Sequence, residues 1–170
     1  NIITMLLIFL MAGSFVGVVG RSSAESVAYW MLSLIPARFS VAVLFAVACF
    51  VSVAMGTSVG TITLLTPIAV AVSGASGFDL AFCVASVMGG SMFGDNLSFI
   101  SDTTIAACNG QGCEMKDKFR ENFWIALPAA LVTLVLILIL SFQTDIQGSV
   151  KQSYQLIQVV PYVLVLIGGI

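Results

Sequence analysis

The chain has no histidine, and its 170 residues carry only six basic and eight acidic side chains. Without histidine it lacks the commonest metal ligand and the usual proton carrier near neutral pH. The four cysteines, Cys49, Cys83, Cys108 and Cys113, include no C-x-x-C pair, so neither a zinc site nor a disulfide framework is indicated. No nucleophile–base pair or phosphate-cradling loop appears, which sets enzyme chemistry aside. A net charge of −2 with no long basic run gives no electrostatic footprint for nucleic acid. No cofactor is expected.

What the sequence does have is apolar bulk. It is 59% hydrophobic and 8% charged, with a mean hydropathy of +1.12, a composition that suits a lipid bilayer and would aggregate in water. The apolar runs reach or approach the ~20 residues of a helical span and lack the alternation of a β-barrel. The expected fold is therefore all-α, a polytopic helical membrane protein. Asn1 opens directly in an apolar run and Ile170 stops within another, so the chain is expected to be a piece of a longer protein. A cleaved signal peptide over 1–19 would need a basic start and an A-x-A site, and the sequence has neither.

Along the chain, residues 2–19 read as a first span, with Gly13 and Gly17 at a spacing that favours helix packing. Residues 21–40 hold an apolar stretch too short to cross and read as an interfacial helix. Residues 41–73 would form a helix of about 50 Å, longer than the ~30 Å hydrocarbon core, unless it breaks at Gly56-Thr57-Ser58-Val59-Gly60-Thr61. That break makes either a re-entrant hairpin or two closely joined segments, while Gly56 and Gly60 could instead be a helix-packing face. Pro67 would kink the second half. After a turn at 74–77, residues 78–93 form a helix that breaks at 94–101 and resumes over 102–108. Residues 109–122, with Lys116, Lys118 and Arg120, read as an aqueous loop whose basic residues place it in the cytoplasm. A clear span follows over 123–142, and another begins at 156–170.

Two carboxylates, Asp95 and Asp102, lie inside the second broken segment. An intramembrane charge costs about 2.5–3.5 kcal/mol on insertion scales, so such residues mark ion or proton paths. On an unbroken helix the pair would sit roughly 10 Å apart along the axis; a break lets them converge. The competing reading makes Asp102 a helix cap. A carboxylate in a low-dielectric site binds either a cation or a proton, and that competition is the basis of antiport.

GTSVGT at 56–61, GDNLSFISDTT at 94–104 and QGCEMKDKFR at 111–120 resemble the motifs of the NhaC-type Na+/H+ antiporter family of the ion-transporter superfamily. In many relatives the second motif reads closer to GDHCSPISDTT; here Asn96 replaces the His and Phe99 the Pro, so neither a His-based pH response nor a Pro-fixed break carries over. The resemblance implies an inner (plasma) membrane transporter of about twice this length, built from two inverted repeats with discontinuous helices. Residues 1–153 would be the first repeat and 154–170 the start of the second. It implies that Thr57, Ser58, Asp95, Asn96, Ser98, Ser101, Asp102, Thr103 and Thr104 line the ion path, with Asp95 and Asp102 holding Na+. The implied partners are the lipid bilayer, Na+, H+ and the second repeat, with a homodimer left open. Relatives also resemble carriers that couple Na+ or H+ to organic acids of the dicarboxylate or lactate type, which is the alternative cargo; a channel without coupling is a third reading.

One substitution separates the two readings of Asp102. Asp102→Asn is expected to abolish coupled transport in proteoliposomes while leaving expression intact, and near-normal transport would reduce Asp102 to a cap, since Asn caps as well as Asp.

Overall fold

The computed structural model describes residues 34–144 continuously apart from the side chain of Asp102, together with isolated residues near both ends. The expected spans over 2–19 and 156–170, and most of the expected interfacial helix over 21–40, lie outside the described residues. Within them the chain is all-helical. A 3-10 turn, Ala37–Phe39, leads into α1 (Ser40–Met55), followed by α2 (Ser58–Ser76), α3 (Leu80–Leu97), α4 (Asp102–Gln111) and α5 (Met115–Gln143). Counting the 3-10 turn with α1, four of these (α1, α2, α3 and α5) are long and apolar enough to cross a membrane.

The break expected near 56–61 is a two-residue turn. Gly56 adopts φ +67°, a left-handed conformation that closes α1 by donating its N–H to the Ser52 carbonyl. Thr57 is extended and caps α2, its Oγ1 accepting from the Gly60 N–H at 3.4 Å. The two helices fold back on each other as a hairpin. Pro67 sits inside α2 without ending it. The next turn is shorter than expected, because α2 runs to Ser76 and Asp79 caps α3 by accepting from the Phe82 N–H.

Lipid tails are as apolar as leucine, so helices in a bilayer associate through close packing rather than by escaping the solvent. Gly90 and Gly94 supply that closeness. A Cβ on Gly90 would lie 2.5 Å from the Phe45 carbonyl oxygen, and one on Gly94 2.5 Å from that of Cys49 and 2.6 Å from the Ser52 Cβ. α1 and α3 thus run parallel in backbone contact, and the Ser52 hydroxyl donates to the Ser91 carbonyl across the seam at 2.5 Å. The contact also corrects the sequence reading that α3 breaks at 94. Gly94 is there for approach, the helix continues to Leu97, and the break is only residues 98–101.

α5 runs antiparallel to α1. At one end the Ser141 hydroxyl donates to the Arg38 carbonyl and Phe142 meets Phe39 edge-on. At the other end the first turns of α5 reach the α3–α4 break. The expected aqueous loop over 109–122 is accordingly mostly helix: α4 extends to Gln111, α5 begins at Met115, and only 112–114 lie between them. Lys, Glu and Arg are good helix formers, so polarity there marks exposure and not coil.

Gly94→Ala is expected to force α1 and α3 apart and to cost about 1–3 kcal/mol, the usual penalty for overpacking. Gly74→Ala, with nothing within 4 Å of the added methyl, is expected to be neutral or slightly stabilising. Thermal unfolding of the two variants in detergent checks the difference.

Candidate functional site

Three chain segments converge at one end of the bundle: the α1–α2 turn, the last turn of α3, and the break leading into α4. Gly56 is the point of contact, since a Cβ there would lie 2.6 Å from the Ile100 side chain and 3.1 Å from the Ser101 nitrogen. The approach sets Asp95, half-buried in the last turn of α3, between the starts of two other helices. Ser58, the first residue of α2, donates its hydroxyl to Asp95 Oδ2 at 3.1 Å, and Ser101 donates to Oδ1 at 2.7 Å.

Ser101 occupies the cap position of α4 yet makes no side-chain capping bond. A cap serine ordinarily accepts from its own helix. Here its proton goes to Asp95, so in the Ser101–Thr103 contact at 2.8 Å Thr103 is the donor. The result is a directed chain from Thr103 through Ser101 to the carboxylate. A carboxylate has about four acceptor positions, and each donating hydroxyl keeps its lone pairs. The cluster is therefore a set of hard oxygens around one acidic side chain, suited to a small cation or a proton. Among the described residues no group of three or more His, Cys, Asp or Glu is assembled.

The other residues singled out from the sequence divide. Thr57 is at the site by position, but its side chain caps α2 and its carbonyl accepts from Thr61 Oγ1 at 2.8 Å. Ser98 is buried and shapes the break, its hydroxyl accepting from the Ile100 N–H. The Asn96 side chain turns back to donate to the Met92 carbonyl, while its own carbonyl faces α5. Thr104 is buried and also engaged by α5. The backbone of Asp102 opens α4; its side chain lies outside what is described.

α5 supplies residues that motif reading assigned elsewhere. Lys118, taken from the sequence as a topological charge, places Nζ 2.6 Å from the Asn96 carbonyl oxygen and 2.9 Å from Thr104 Oγ1. One turn on, Asn122 donates to the same Asn96 carbonyl at 3.2 Å. Phe99, standing where the related motif has proline, stacks on Phe119 with centroids 4.4 Å apart. The break is thus held by an aromatic contact to α5. The i, i+4 spacing of Lys118 with Asn122, and of Phe119 with Phe123, was a readable signal that this stretch is a helix with a face to present.

Comparison with known proteins agrees with the motifs. Residues 2–142 match the Na+/H+ antiporter family. The chain is 27% identical over 144 residues to the malate-2H(+)/Na(+)-lactate antiporter of Bacillus subtilis strain 168, covering 84% of this chain and 31% of that protein. It is 31% identical over 113 residues to the Na(+)/H(+) antiporter NhaC of Alkalihalophilus pseudofirmus, covering 66% of this chain and 24% of that protein. The chain thus spans about a quarter to a third of the length of these relatives. No solved structure matches it. With most of its length matched and its helices suited to crossing a bilayer, the chain belongs to the Na+/H+ antiporter family, whose members are multi-pass membrane transporters and not enzymes.

Proposed function

We propose that this chain forms a cation- and proton-binding part of a secondary transporter that exchanges Na+ for H+. The observation that carries the reading is Asp95 in the last turn of α3, next to a break, with a hydroxyl from a different helix start on each carboxylate oxygen. Helix ends at a break, where backbone groups lack intrahelical partners, are where transporters of this general construction coordinate their ions. Asp95 would carry either Na+ or H+, with Ser58, Ser101 and Thr103 as neutral oxygen donors and Asp102 as the second carboxylate. Loaded with either ion the carboxylate is neutral, whereas empty it is charged and costly to carry across an apolar layer. Exchange follows from that difference.

The chain would be the first of two inverted repeats, residues 1–153, with 154–170 opening the second. Alternating access would then be a movement of one repeat against the other about the break. A second reading, exchange of Na+ or H+ with an organic acid, is favoured by the likeness to the malate/lactate antiporter over 84% of this chain. In that case Na+ at Asp95 would neutralise the site before a carboxylate approached the α4 N-terminus.

The test uses the full-length transporter in proteoliposomes with an imposed pH gradient, the voltage clamped with K+ and valinomycin. Na+ without any organic acid is expected to dissipate the gradient, and a response that appears only on adding a carboxylic acid would replace the first reading with the second. Asp95→Asn is expected to abolish the response, and normal exchange in that variant would remove Asp95 from the site. Ser101→Ala is expected to raise the apparent KM for Na+ about tenfold, consistent with roughly 1.5–3 kcal/mol for a hydrogen bond to a charged group.

A further inference from the structure

We propose that Lys118 is a tethered cation that competes with the transported cation for the oxygens of the α3–α4 break and so sets the apparent Na+ affinity; the inference rests on the antiport reading above. Lys118 lies in the first turn of α5, the end of a helix where a positive charge is unfavourable. Its ammonium is drawn instead to the C-terminal end of α3, the negative pole of that helix, where carbonyls lack intrahelical partners. There it takes the Asn96 carbonyl at 2.6 Å and Thr104 Oγ1 at 2.9 Å, one oxygen from each side of the break. A helix-terminal carbonyl and a hydroxyl are the donors an alkali cation also uses, and Asn96 directly follows Asp95. Lys116 and Arg120, the neighbouring bases, are exposed, whereas Lys118 is half-buried.

Positive charges held at Asp95 and at the carbonyl of the next residue oppose each other, so Na+ at Asp95 loosens the ammonium and the ammonium hastens the departure of Na+. The lysine thereby keeps the site from holding Na+ too tightly to release it. A purely structural role, in which Lys118 only pins the ends of α3 and α4 together, makes a different demand. Its loss would reduce turnover and leave the affinity for Na+ unchanged or weaker.

The experiment is Na+-driven proton flux in proteoliposomes containing the full-length transporter, comparing the natural protein with Lys118→Gln and Lys118→Arg. Lys118→Gln is expected to lower the apparent KM for Na+ roughly tenfold and to lower kcat, from the loss of one nearby unit charge. Lys118→Arg, which keeps the charge, is expected to stay within about twofold of the natural KM. An unchanged or raised KM in Lys118→Gln overturns the inference. If that variant fails to assemble, the natural protein decides: replacing choline by Na+ at constant ionic strength is expected to increase acetylation of Lys118 by acetic anhydride, read by mass spectrometry, and unchanged labelling overturns the inference. The two levels fail separately. A natural protein with no Na+-driven flux sinks the antiport reading, whereas normal flux with an unaltered Lys118→Gln KM sinks only the role of Lys118.

Discussion

The structure depends on the backbone contact between α1 and α3. In lipid there is little solvent-driven force to hold two helices together, so the separation at which they meet decides how many atoms touch. Gly90 and Gly94 let α3 lie against the Phe45 and Cys49 carbonyls, and this fixes the axial register of the two helices. From that register the rest follows. The ends of α1 and α3 fall at one level, Gly56 meets Ile100 and Ser101, and the first residue of α2 arrives at Asp95. A shift of one helical turn, about 5.4 Å, would separate Ser58 from Asp95 and Gly56 from Ile100 and Ser101.

Asp95 is served by groups whose local duties are relaxed in its favour. Ser101 stands at a cap position and gives its proton to another helix, and Thr103 follows it. On the other flank Thr57 keeps its capping duty, freeing Ser58 to face the carboxylate. The division is physically sensible. One turn is fixed by a left-handed glycine and a conventional cap, and the other is left to side chains whose hydrogen bonds can be exchanged for contacts to an ion.

Much of this was legible in the sequence. Apolar runs interrupted by Gly and hydroxyl residues pointed to breaks at 56–61 and 94–101, and the chain does break within both, at 56–57 and at 98–101. The hydroxyls at 58, 101 and 103 were named from motif likeness and do meet Asp95 or one another. The misplaced details have a common cause. Gly94 looks like a helix breaker to local reasoning, and only the position of α1 shows that it is an approach residue. The 109–122 stretch looks like a loop because it is polar, yet polarity reports the solvent on one side and not the backbone geometry. Lys118 and Phe99 could not be assigned, because their partners lie about 20 residues away or on another helix and become neighbours only when α5 folds back along α1.

The length of α5 has an electrical meaning. Lys118 marks the site and Ser141 the opposite end of the bundle, where the Arg38 carbonyl waits. At 1.5 Å per residue that interval is about 35 Å, slightly more than the ~30 Å apolar layer. With α5 upright across that layer, the oxygens around Asp95 would lie toward one end of the potential drop and the Arg38 carbonyl toward the other. In that orientation a charge passing between the two ends would work against most of the membrane potential, about 2.3 kcal/mol at 100 mV, and the two entry routes would be electrically unequal.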